Sequence, residues 1–201
     1  MINRVIKAFV FSDLILLFGW GLINPILAIF VIQNIVGATA KTAGIAIGIY
    51  WLSKSVLQIP IAKFLDKNHG ERDDFYALFF GIILASLVPL GFLISSLPRH
   101  VYLLEALHGL GMALAIPAWS GIFTRHIEKG REAFCWSLDS SALGIGAGLA
   151  GIIGGYLVGA IGFSYLFLFV FIFGIISASI LFAVKKELLP KGKTIIIPKQ
   201  S

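Results

Sequence analysis

Positions 14–40, 75–98, 106–124 and 140–184 contain no Asp, Glu, Lys or Arg. A helix that crosses a bilayer needs about 20 mostly apolar residues. The last stretch holds 45 residues, enough for two crossings. Gly159-Ala160-Ile161-Gly162-Phe163-Ser164 supplies a turn near its middle. A further apolar segment at 42–65 is interrupted only by Lys54 and Lys63. The pattern predicts an all-α integral membrane bundle with six spans at about 8–33, 42–65, 75–97, 101–124, 133–160 and 163–184. Residues 66–74 and 125–132 are the longest polar connections, and 185–201 reads as a basic tail.

Composition agrees. Of 201 residues, 58% are hydrophobic and 13% charged, with 17 Phe and a mean hydropathy of +0.95. A soluble domain carries about a quarter charged residues, and a chain of this length has too little interior to hide so much apolar surface. Soluble enzymes are excluded. Arg4 and Lys7 before an apolar run imitate a signal peptide, but the run is too long and contains Asp13, so an uncleaved first span is expected.

The net charge of +6 is read by position. With six spans, Arg4, Lys7, Lys63, Lys67, Arg72, Arg125, Lys129, Arg131, Lys185, Lys186, Lys191, Lys193 and Lys199 fall on one side and only Lys41 and Arg99 on the other. Basic loops stay in the cytoplasm, so both termini are expected there, in a prokaryotic plasma membrane. The charge is therefore topological. Anionic lipid is the expected contact of the tail, and no nucleic-acid partner is expected. Cys135 is the single cysteine, and His69, His100, His108 and His126 form no ligand pair. No metal, cofactor or catalytic residue is expected. Ser120 on the fourth span would need a His base on the sixth to act as a nucleophile, and that span has none.

Charges inside the spans are few: Asp13 in the first, Lys54 in the second, Glu105 beside His108 in the fourth and Asp139 in the fifth. Each costs about 2.5–3.5 kcal/mol at a helix centre and should face protein or water. The third and sixth spans have none, and the Phe-rich sixth reads as lipid-facing. The order polar, polar, apolar occurs twice in units of opposite direction, the pattern of a 3+3 inverted repeat.

Helical spacing groups these residues. Asp13, Leu17, Trp20 and Asn24 share one face, followed by Pro25, which loosens backbone bonding. Glu105, His108, Met112, Ala115 and Trp119 share another, and Lys54 and Gln58 sit one turn apart. These faces are the candidate solute or ion pathway. The alternative is buried pairing that only fixes helix packing. Asp139 is a further buried charge, a candidate partner for loop cations. Gly144, Gly148, Gly151, Gly155 and Gly159 form one stripe on the fifth span. Glycine permits close helix approach, so the stripe is expected to pack within the bundle or at a sliding or dimer contact.

Ala62-Lys63-Phe64-Leu65-Asp66-Lys67-Asn68-His69-Gly70-Glu71-Arg72 resembles the signature loop of the major facilitator superfamily, Gly-x-x-x-Asp-Arg/Lys-x-Gly-Arg/Lys, with Ala62 for the leading Gly and one extra residue before Gly70. The fourth span is similar to the family's Arg-x-x-Gln-Gly-x-Gly pattern at Gly109, Gly111 and Pro117, with Glu105 and His108 where Arg and Gln are usual. The stretch from Gly148 to Gly155 resembles the Gly-rich motif of the fifth helix without its Pro. The family has twelve helices in two halves, and this chain resembles the amino-terminal half. The resemblance implies a half-size secondary transporter of a small-molecule solute. It would work as a parallel homodimer by alternating access, as a symporter or antiporter. Asp66, Lys67, Gly70 and Arg72 would form the conformational loop. Spans one and four would line the path, two and five would meet the partner, and Asp13 and Glu105 would couple protons or cations. Competing expectations are a substrate-binding subunit of an ATP-driven importer and one half of a split transporter.

Overall fold

The computed structural model describes residues 2–68 and 70–189. Eight helices occur among them: α1 (Arg4–Ile23), α2 (Leu27–Asn34), α3 (Ala40–Asn68), α4 (Glu71–Leu93), α5 (Pro98–His126), α6 (Glu132–Ile161), α7 (Phe163–Ala183) and α8 (Lys185–Leu188). Six are long and apolar enough to cross a membrane: α1, α3, α4, α5, α6 and α7. Most of the basic tail lies outside the described residues.

The predicted first span is in fact two helices. Pro25 lacks an N–H and crowds the carbonyl four residues back. The Ile26 N–H instead bonds the Ile23 carbonyl at 3.0 Å, and α2 starts one residue later. Pro60, Pro89 and Pro117 lie inside α3, α4 and α5 without ending them. The connection expected at 66–74 is much shorter. Glu71, Asp73 and Asp74 occupy the first turn of α4, and Lys67 the last turn of α3. These charges complement the helix dipoles there, with Arg72 and Asp66 beside them of the opposite sense, and both helices run into the expected connection. Gly162 alone joins α6 to α7, at φ +79°, where a Cβ is strained.

Helix α1 packs on α6 and α7, α5 packs on α3 and α4, α4 packs on α7, and α1 meets α5 across the middle. Exchanging spans one with four, two with five and three with six returns these principal contacts. That is the contact signature of two inverted three-helix units. Small residues set the close approaches. A Cβ on Gly154 of α6 would run into the Leu22 carbonyl of α1, and one on Gly109 of α5 would lie 2.8 Å from the Tyr50 carbonyl of α3. Ser12 Oγ lies 2.8 Å from Ser177 Oγ, tying α1 to α7.

The sixth span departs from its lipid-facing expectation on one side. Leu166, Phe167, Val170, Ala178 and Leu181 are buried in the core, and Phe167 rests edge-on against Phe30 at 4.8 Å between ring centroids. A helix that is apolar all round gives no signal of which side turns inward. The flanks are α3 and α6. Only 6% of the residues in the apolar window of α3 and 17% in that of α6 are buried, against 39% or more in the other four spans.

Candidate functional site

A cavity of about 320 Å³ opens between α1, α3, α4, α5 and α6. Asp13 of α1, Tyr50 and Lys54 of α3, Met112, Trp119 and Ser120 of α5 and Asp139 of α6 give it its chemistry. Leu16, Leu17, Leu78, Ile82, Ala115, Ile116 and Leu143 complete an otherwise apolar wall. Asp13 and Asp139 reach this space from neighbouring helices, α1 and α6, which pack on each other. Asp139 is 5% exposed, and its Oδ1 has no hydrogen-bond partner among the described residues. Trp119 Nε1 is likewise an unpartnered donor. The Lys54 ammonium lies 4.3 Å from the centroid of the Trp51 ring. Among the described residues no ion pair joins Lys54 to either carboxylate.

Four expected pathway residues, Asp13, Lys54, Met112 and Trp119, therefore share one cavity, and Asp139 joins them. Three others do not line it. Trp20 is 2% exposed and stacks on His108 with centroids 3.7 Å apart and planes 6° off parallel. His108 Nδ1 lies 3.5 Å from Glu105 Oε2, and Tyr50 covers the other side of the imidazole at 4.4 Å. This layer packs α1, α3 and α5 together. Its depth explains the division. Asp13 and Asp139 stand about 10–14 Å from the end of the bundle that carries Arg4 and Arg125, whereas Glu105 stands about 10 Å from the far end. Glu105 and His108 share a helical face with Met112 and Trp119 but sit one storey further along.

Two more expectations need correction. Asn24 keeps helical geometry, its N–H bonded to the Trp20 carbonyl at 2.9 Å, but it lies exposed at the end of α1 and does not line the cavity. Gln58 is half-buried on α3 but does not line the cavity. Asp66 and Lys67 are exposed on the last turn of α3, Gly70 precedes α4 and Arg72 is exposed in its first turn. His69 of the same motif lies outside the described residues.

The glycine stripe is also placed differently from a packing seam within the bundle. Beyond Gly144, Gly148, Gly155 and Gly159 there is open space, and only Gly151 touches a neighbour, Pro25 of the α1–α2 break. The inward seam of α6 is Gly146, Ala150 and Gly154.

Sequence reading missed Tyr50, Ser120 and a charge cluster at the Arg4 end. Tyr50 stands one turn before Lys54 on the same face, a signal that was available. In the cluster, Arg125 pairs with Asp74, its Nε lies 3.5 Å from Glu71 Oε1, and His126 Nδ1 lies 3.4 Å from the same oxygen. It fastens the end of α5 to the start of α4. Nearby, Arg4 pairs with Glu187 at 2.8 Å and Lys185 donates to the Tyr76 hydroxyl at 3.2 Å.

Inverted three-helix units enclosing a charged cavity within an apolar bundle define a class of membrane transport fold. A family model for the Major Facilitator Superfamily matches residues 9–197, and the chain belongs to that superfamily. Among solved structures it is similar to a peptide transporter, POT, in complex with sulfate, at 17% identity and a TM-score of 0.70 over 94% of this chain and 39% of that one. It is similar to a point mutant of the same transporter, also with sulfate, at 17% identity and a TM-score of 0.69, over 92% and 38%. The chain thus spans about two-fifths of the transporters it matches. No curated protein matches it.

Proposed function

We propose that the protein is a half-size secondary transporter of a small solute, working as a parallel homodimer by alternating access. The observation that carries this reading is the cavity. Asp13, Asp139 and Lys54 are turned from lipid into a shared space within the spans, although charge there is costly. Superfamily membership favours gradient-driven transport over an ATP-driven importer subunit.

The flanks support the dimer. The outer faces of α3 and α6 are apolar and carry glycines with open space beyond them: Gly44 and Gly48 on α3, Gly144, Gly148, Gly155 and Gly159 on α6. Counted from the far ends of their helices, Gly44 and Gly48 lie level with Gly159 and Gly155. A two-fold axis along the membrane normal would set α3 of each protomer against α6 of its partner, glycine to glycine. Both termini would lie in the cytoplasm, and every charge lining the path would appear twice. The same faces would equally receive a separate six-helix polypeptide, as in a split transporter.

Reconstituted liposomes test the reading, with uptake of a solute panel followed with and without a proton gradient. Gradient-dependent uptake that falls at least tenfold in Asp13→Asn is expected. Native mass spectrometry in nanodiscs should give a dimer. Uptake unchanged in Asp13→Asn removes the coupling role, and monomer alone removes the dimer.

A further inference from the structure

The cavity's charges are sorted by wall. Asp13 and Asp139 stand on α1 and α6, Lys54 on α3, and no ion pair joins the two walls among the described residues. Its unsatisfied atoms are sorted as well. Asp139, 95% buried by its 5% exposure, keeps Oδ1 as an acceptor with no donor among the described residues, while Trp119 Nε1, itself enclosed, is a donor with no acceptor among them. Leaving such groups unmade costs about 1–3 kcal/mol each. Rotation about the broad terminal torsion of Asp139 can present either carboxylate oxygen to the cavity. Among the described residues Lys54 has no ion-pair partner, and its contact with the Trp51 ring is worth about 0.5–1 kcal/mol at an exposed site, so it is easily won by an anion.

A ligand that satisfies this set must bring both a donor cation and an acceptor anion. A simple cation would meet the two carboxylates but face Lys54 as well, and a simple anion would meet Lys54 but face both carboxylates. The other titratable groups nearby are Tyr50, which lines the cavity, and Glu105 and His108, which are engaged with each other in the layer beyond. Size narrows the class. At about 320 Å³ the cavity lies at the small end of the usual range of solute pockets, about 300–1,000 Å³, and the rest of its wall is aliphatic or aromatic.

Resting on the reading of this cavity as the solute path, we propose that it binds a zwitterion of amino-acid size with an apolar side chain. The ammonium sits at Asp13 and Asp139 and the carboxylate at Lys54. Two protomers would offer two such sites related by the axis, so an asymmetric solute need not sit on the symmetry element itself.

Three probes of one shape separate the charges: phenylalanine, phenethylamine without the carboxylate, and 3-phenylpropionate without the ammonium. Calorimetry on the full-length protein in nanodiscs should show phenylalanine binding at least about tenfold tighter than either analogue, a gap of about 1.4 kcal/mol. Lys54→Gln should erase the advantage over phenethylamine and leave the advantage over phenylpropionate. Asp139→Asn should do the opposite, and Asp13→Asn serves in its place if that variant does not fold. An analogue binding as well as phenylalanine, or no phenylalanine binding up to about 10 mM, overturns the proposal. Counterflow in liposomes keeps the two readings apart. Phenylalanine binding with no solute moved would sink the transporter and spare the site, while uptake of other solutes without phenylalanine binding would do the reverse.

Discussion

The two faces of α6 are built from the same material and used differently. Gly146, Ala150 and Gly154 press against α1, where the Leu22 carbonyl occupies the space a Cβ on Gly154 would need. Gly144, Gly148, Gly155 and Gly159, a quarter-turn or more away, meet nothing. Glycine in a membrane helix marks a place where backbone can come close. It does not say whose backbone. The inward seam holds one chain's fold together, and the outward one is free for another.

That contrast predicts a graded set of effects. Gly154→Leu should be the most damaging, because the obstructing atom is backbone and the helix must move. Overpacking of this kind costs about 1–3 kcal/mol, and a backbone obstruction should reach the top of that range. Thermal unfolding in detergent should show the loss, and a wild-type melting curve would mean that α6 does not pack as described. Gly109→Leu probes the inverted counterpart, α5 on α3, where the nearest atoms are the Tyr50 carbonyl at 2.8 Å and Ser53 Cβ at 2.9 Å. A smaller loss of about 1–2 kcal/mol is expected, and a loss exceeding that of Gly154→Leu would break the ranking. Ser177→Ala removes the Ser12 tie and should cost about 0.6 kcal/mol, the average for a polar contact between membrane helices. Gly148→Leu should leave the stability of the single chain within about 0.5 kcal/mol of wild type while shifting native mass spectra from dimer to monomer. If instead it unfolds the chain and spares association, the two faces have been assigned the wrong way round.

Much of this architecture was legible in the order of apolar runs, because six crossings and a repeated polar, polar, apolar pattern leave few topologies open. The candidate site was legible in part. Spacing along a helix reports direction around its axis, and Asp13 on one such face and Met112 and Trp119 on another line one cavity. It does not report depth or what covers a side chain. Glu105 and His108 belong to the same face as Met112 yet lie beneath a stacked indole and a phenol supplied by two other helices. Asn24 likewise keeps the helical face of Trp20 but lies one turn further on, exposed at the end of α1. The inward seam of α6 was illegible because two glycine series run along one helix, and only the neighbouring backbone distinguishes them. Leu78 and Ile82 reach the cavity from a span with no charged side chain in its apolar run, so no signal in the sequence marked them.

Gly162 couples two rods through a single residue. Such a short tether leaves no slack for α6 to ride up or down against α7, which is itself seated on α1 and α4. Any change of access on this side of the molecule must therefore be a tilt of the assembled unit, like a hinged door leaf, and cannot be one piston sliding past its neighbours.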